Sequence, residues 1–111
     1  MINAMAERMD TPLISREEDI YNASRSLKAM AHPLRLRILC ILGAHSEVSV
    51  QDIVDQVGTS QSNISQHLSI LRDKGILTAR KNANKVYYRV ADPKILDLIG
   101  SMRAAFCGPE A

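Results

Sequence analysis

The chain has 111 residues, 46% of them hydrophobic, and a formal net charge of only +2 at pH 7. This length allows one small domain with one modest core, and no apolar run approaches the roughly 18 residues that a membrane span needs. The first ten residues contain no apolar signal core, which favours a cytoplasmic protein. We therefore predict a disordered N-terminal tail over residues 1–14 and one domain over residues 15–108.

Helix signals occur twice between residues 15 and 43. The tetrapeptide Ser15-Arg16-Glu17-Glu18 has the spacing of a capping box and predicts the start of a first helix. The break at Ala31-His32-Pro33 ends that helix, and Pro33 suits the first turn of a second helix that Gly43 closes. The apolar residues of the first helix lie three or four apart and predict one apolar stripe, formed by Ile20, Ala23, Leu27 and Met30.

Two further helices are predicted with only a short break between them. Ser49 can cap the third helix, which Gly58 stops. Ser60 can cap the fourth helix, which Gly75 ends. The inward face of the fourth helix is expected to consist of apolar residues at helical spacing, namely Ile64, Leu68 and Leu71.

A β-hairpin and a last helix follow. Residues 76–81 and 85–90 are predicted strands around a turn at residues 82–84, because buried and exposed types alternate in the second strand. Asp92-Pro93 opens the last helix, whose predicted apolar face is Ile95, Ile99, Met102 and Phe106. The expected fold is mainly α with a β-hairpin wing, a winged helix-turn-helix in the order α-α-α-α-β-β-α.

The fourth helix and the hairpin together suggest a DNA-binding surface. The exposed face of the helix is short, uncharged and rich in hydrogen-bonding groups, where an ordinary solvated helix would more often carry Glu and Lys. Such groups can bond base edges in the major groove. Residues 72–89 contain six basic side chains and one acidic side chain, which suits contact with phosphates. We therefore predict binding to double-stranded DNA through Ser60, Gln61, Ser62, Asn63, Ser65, Gln66 and His67 of the helix and Arg80, Lys81 and Lys85 of the wing.

Three segments in this order resemble the ArsR/SmtB family of small bacterial repressors. They are residues 27–39 (LKAMAHPLRLRIL), 60–68 (SQSNISQHL) and 71–77 (LRDKGIL), within a resemblance that covers roughly residues 27–107. The resemblance implies a winged-helix homodimer, paired through its first and last helices, that releases its inverted-repeat operator when an inducer binds. The apolar face predicted for the last helix agrees with this pairing.

The familiar metal sites of that family are missing from this sequence. Where some members carry thiolates at the start of the third helix, this chain has Ser49 and Gln51, which cannot replace thiolates for a soft metal. Where others bind zinc on the last helix, residues 92–106 contain no histidine. We predict no metal site, no cofactor and no enzymatic activity, since no nucleophile with a base, phosphate loop or pair of catalytic carboxylates is evident.

Two cysteines remain, Cys40 on the second helix and Cys107 at the end of the last helix. Taken alone they favour inert thiols, and Cys40 could simply be a small core residue. Their placement, with Cys107 directly after Phe106, resembles the persulfide- and redox-sensing branch of the family that includes BigR, SqrR and HlyU. This resemblance implies that reactive sulfur species or an oxidant bridges the two thiols and so releases the DNA. The alternatives are a DNA-binding regulator with no thiol switch and a metal sensor with an unfamiliar site.

Overall fold

The computed structural model describes residues 11–107 and has eight elements in this range. The helices are α1 Glu17–Met30, α2 Pro33–Ala44, α3 Val50–Val57, α4 Gln61–Asp73 and α5 Pro93–Phe106. The strands are β1 Val48–Ser49, β2 Leu77–Asn82 and β3 Lys85–Val90. Residues 1–10 of the predicted tail and Gly108 at the predicted domain end lie outside the described residues, while residues 11–14 belong to no helix or strand.

The predicted winged helix-turn-helix is confirmed, with one strand added. β2 and β3 form the antiparallel hairpin, with Leu77 opposite Val90. β1 pairs with the other edge of β3, so the strand order is β1-β3-β2. Sequence reasoning missed β1 because two residues are too few to show an alternating pattern. The second of them, Ser49, also serves as the N-cap of α3.

An aliphatic core lies between the central helices and the hairpin. Its fully buried members include Ile38, Leu39, Leu42, Ile53, Ile64, Leu68, Leu71 and Ile76. Three of them, Ile64, Leu68 and Leu71, are the predicted inward face of α4, which is confirmed. Gly43 does not end α2 as predicted but lies inside its last turn. A Cβ added there would lie 3.4 Å from Cγ2 of Ile99, an ordinary contact distance, so Gly43 lies where α2 packs against α5.

The predicted capping box of α1 is wrong, and the apolar faces of α1 and α5 are largely exposed in the single chain. The helix α1 begins at Glu17 with Arg16 at its N-cap position, and no side chain caps it, so Ser15 forms no capping box. Ile20 and Leu27 on the apolar stripe of α1 are 46% and 49% exposed, and Phe106 on the apolar face of α5 is 86% exposed. Helical spacing identified these apolar faces, but it carries no information about which surface covers them. Among the described residues, no helix combines the length and the apolar character that crossing a membrane requires.

Candidate nucleic-acid interface

The turn that leads into α4 is built from one glycine and one serine. Gly58 has a φ of +84°, in the left-handed region that favours glycine, and its N–H donates to the carbonyl of Val54 at 2.8 Å. Ser60 then takes an extended conformation, and its Oγ accepts the N–H of Asn63 at 3.1 Å. The predicted cap is therefore confirmed, and α4 begins only four residues after α3 ends.

Helix α4 presents polar side chains on the side away from the core. Among the residues predicted to contact DNA, Ser60, Gln61, Ser62 and Gln66 are exposed, whereas Asn63, Ser65 and His67 are half-buried. The side-chain amide of Asn63 donates to Oγ1 of Thr59 at 3.2 Å, which holds it against the turn. The structure thus leaves the two glutamines accessible along the helix.

His67 contacts two side chains at the start of α2, Arg35 and the N-cap residue His32. Nη1 of Arg35 lies 3.2 Å from Nδ1 of His67, and the ring centroids of His32 and His67 are 4.7 Å apart at a tilt of 44°. Burial lowers the pKa of His67, and the neighbouring His32 and Arg35 lower it further. These contacts favour a neutral imidazole.

In the wing, Arg80 is bound to Glu47, a residue outside the hairpin. Its Nε and Nη2 donate to the two carboxylate oxygens of Glu47 at 2.7 and 2.8 Å. Its guanidinium also lies 4.8 Å from the ring centroid of Tyr87. The hydrogen bond from Arg80 is the main cause that lowers the pKa of Glu47. Lys81 and Lys85, in contrast, are exposed and form no ion pair with any residue between 11 and 107.

Both cysteines are exposed free thiols. Cys40 therefore does not fill the core, which was one interpretation of its place on α2. Cys107 is the C-cap residue of α5, and its N–H donates to the carbonyl of Arg103 at 2.9 Å. The two helices that carry the thiols pack against each other where Gly43 faces Ile99. Within residues 11–107 no three His, Cys, Asp or Glu side chains are grouped so that they could hold a metal ion.

Residues 32–79 match the family model described as bacterial regulatory protein, arsR family. The Biofilm growth-associated repressor of Xylella fastidiosa (strain 9a5c) is 35% identical over 114 residues, which cover 99% of this chain and 97% of the relative. This chain belongs to the ArsR family.

Solved structures of ArsR-like proteins give the same fold. HlyU from Vibrio cholerae N16961 superimposes with a TM-score of 0.79 at 35% identity, covering 84% of this chain and 100% of HlyU. A structure described as reduced HlyU from the same organism has a TM-score of 0.77 at 36% identity, covering 83% of this chain and 96% of that one. The ArsR-family protein is accordingly a transcriptional regulator with a DNA-binding fold and not an enzyme.

Sequence reasoning missed two side chains around the interface of this ArsR-family protein. Glu47 is 33 residues from its partner Arg80, and Arg35 is 32 residues from His67. Neither pair leaves a local pattern, because the fold brings its members together from separate elements. Only the opposite charges of Glu47 and Arg80 hinted at a pairing, and many such pairs exist in any chain of this size.

Proposed function

We propose that this ArsR-family protein is a cytoplasmic repressor. It binds an inverted-repeat operator as a homodimer and releases it when Cys40 and Cys107 are bridged by reactive sulfur species or an oxidant. The observation that carries the proposal is the exposed, uncharged polar face of α4 beside a wing with unpaired lysines. One relative that matches almost the whole chain is named a repressor, and this supports repression as the proposed role.

The two parts of the surface have different tasks on DNA. Gln61 and Gln66 on α4 are exposed and can make paired hydrogen bonds to adenine in the major groove. Ser60, Ser62, Asn63 and Ser65 and the free N–H groups of the first turn suit base edges and phosphates. Lys81 and Lys85 suit phosphates beside the groove, since they are exposed and unpaired within the described residues. Arg80 lies in the same wing, where its bond to Glu47 fixes the strand that carries Lys81.

The homodimer is supported by apolar surface on the first and last helices. The single chain leaves large apolar side chains exposed on both of them, namely Ile20, Tyr21 and Leu27 on α1 and Leu96, Leu98 and Phe106 on α5. Exposed apolar side chains on two helices are typical of a protein interface, and a symmetric partner would cover them. Two recognition helices related by that symmetry would contact half-sites about one DNA turn apart, roughly 34 Å.

The thiol chemistry that we propose consumes one persulfide for each disulfide. One cysteine thiolate attacks the sulfane sulfur of a persulfide RSSH and releases the thiol RSH. The second cysteine thiolate attacks Sγ of the first cysteine, breaks its bond to the outer sulfur and expels that sulfur as hydrogen sulfide. Two protein thiols lose two electrons and two protons, and the persulfide is reduced to RSH and H₂S. The exposure of both sulfurs and the packing of α2 on α5 support this step.

DNA binding is tested by selection from a random duplex library with reduced protein, followed by affinity measurement on the selected duplex. We expect an imperfect inverted repeat, a dimer on the DNA and an affinity that falls steeply with salt. Gln61→Ala or Gln66→Ala is expected to relax base preference at a cost of about 1–3 kcal/mol if the contact is bidentate. A monomer that binds one half-site with full affinity would contradict the dimer.

The thiol switch is tested with the same duplex and a persulfide donor. Reduced wild-type protein, Cys40→Ser and Cys107→Ser are all expected to bind, because neither cysteine lies on α4 or the wing. Only the wild type is expected to dissociate, with a mass change of about −2 Da for a disulfide or about +30 Da for a bridge with one extra sulfur. Release of the double Cys→Ser variant by persulfide would refute the switch. Release of the reduced wild type by zinc would instead favour the metal-sensor alternative.

A further inference from the structure

One guanidinium joins three helices at the end of the domain where α1 meets α2. Nε of Arg35 donates to the carbonyl oxygen of Ala29 in the last turn of α1 at 2.6 Å. Nη1 of the same side chain lies 3.2 Å from Nδ1 of His67 on α4. Arg35 itself belongs to the first turn of α2. The side chain therefore connects the α1–α2 junction to the helix that presents the polar DNA-binding face.

The hydrogen bonds of this cluster determine where the protons are. An arginine side chain has only donors, so the contact with Arg35 requires Nδ1 of His67 to accept and to carry no proton. Nδ1 of His32 accepts the N–H of Leu34 at 3.1 Å, so it too carries no proton. The two rings lie 4.7 Å apart. A proton on Nδ1 of His67 would remove the acceptor and set a second positive charge against Arg35.

The surroundings of His67 disfavour protonation of its imidazole. Burial is the largest cause that lowers the pKa of His67, followed by His32 and then Arg35. His32 is the N-cap residue of α2 and Arg35 lies in its first turn, whereas α1 contributes the Ala29 carbonyl through Arg35. Among the described residues, no charged side chain of α1, α3 or β2 shifts the pKa of His67.

We propose that Arg35 and His67 are positioning residues that hold α4 at a fixed angle to α1, and that protonation of His67 releases this hold. The inference rests on the proposed function, because it assumes that α4 binds DNA and that the exposed apolar face of α1 contacts the second protomer. In such a dimer the Ala29–Arg35–His67 connection sets the position of α4 relative to the symmetry axis. The separation of the two recognition helices, and hence the affinity for correctly spaced half-sites, then depends on it.

Two matched pairs of variants test the positioning role on the duplex obtained by selection. Arg35→Gln removes the charge and leaves a shorter side chain that cannot bond both Ala29 and His67, and Arg37→Gln removes the same charge from an exposed position of the same helix. We expect Arg35→Gln to weaken binding about fivefold more than Arg37→Gln on the selected duplex, with equal effects on a random duplex. His67→Leu is expected to weaken specific binding similarly, and His67→Asn to weaken it less than His67→Leu, because the asparagine side-chain oxygen can accept from Arg35. Circular dichroism establishes that each variant is folded at the assay temperature.

The pH profile separates this role from a merely structural one. Between about pH 7.5 and about pH 5.5 we expect wild-type affinity for the selected duplex to fall about tenfold, although added histidine charge alone would strengthen binding to phosphates. His67→Asn is expected to lack this fall. A pH profile of His67→Asn that follows the wild type, or equal losses in Arg35→Gln and Arg37→Gln, would overturn the inference. Failure of the wild type to select any duplex would instead refute the proposed function.

Discussion

Replacing Gly58 with alanine tests the left-handed backbone on which the turn before α4 depends. At a φ of +84° an L side chain is strained, whereas no heavy atom lies within 4 Å of the position that its Cβ would take. Backbone strain therefore costs roughly 1–2 kcal/mol without added crowding. The stiffer unfolded chain offsets roughly 0.4–1 kcal/mol of this. The free energy of unfolding is expected to fall by about 1 kcal/mol, which lowers the Tm by about 5 °C for a domain of this size.

Urea unfolding of the reduced protein, followed by circular dichroism at one protein concentration, measures this loss. Gly75→Ala is the parallel test, since Gly75 has a φ of +76° and equally open surroundings. Gly58→Asn is the decisive control, because asparagine is larger than alanine but tolerates the left-handed region. We expect Gly58→Asn to be more stable than Gly58→Ala. The reverse order would mean that crowding and not backbone strain limits this turn.

Three further predictions follow from the caps, the wing and the histidine. Ser60→Ala is expected to lower the free energy of unfolding by about 1 kcal/mol and Ser62→Ala by less than about 0.5 kcal/mol, because only Ser60 caps α4; equal losses in urea unfolding would contradict the cap. Lys81→Ala and Lys85→Ala are each expected to reduce the slope of log affinity against log salt by about 1.8, because the homodimer loses two phosphate contacts of about 0.9 each, with base preference unchanged; an unaltered slope would exclude phosphate contact. The lowered pKa of His67 means that its contribution to stability is complete above about pH 6.5 and is lost as the pH falls through the lowered value, so the Tm of His67→Asn is expected to fall less on acidification.

The elements that sequence reasoning predicted well are those with local causes. Ser49 and Ser60 cap their helices as predicted, because a cap is a contact between residues three apart in the chain. Gly58 ends α3 since its backbone conformation is a property of one residue. The prediction for Gly43 is wrong because a glycine need not end a helix, and here the helix continues through it to Ala44. A glycine alone does not show whether a helix ends at it or continues.

For the candidate site, the sequence by itself determined which helix and which hairpin carry the polar and basic side chains. Helical period and alternation follow from backbone geometry, so the position of Gln61 or Lys85 on its element could be predicted. Only the tertiary structure decided which of these side chains are free. Arg80 is bound to Glu47, and His67 is bound to Arg35, through contacts between residues more than 30 positions apart. Such contacts depend on the packing of whole elements, which no local pattern encodes. The exposed apolar faces of α1 and α5 have the same cause, since helical spacing predicts a face and only packing shows that α2 covers part of it.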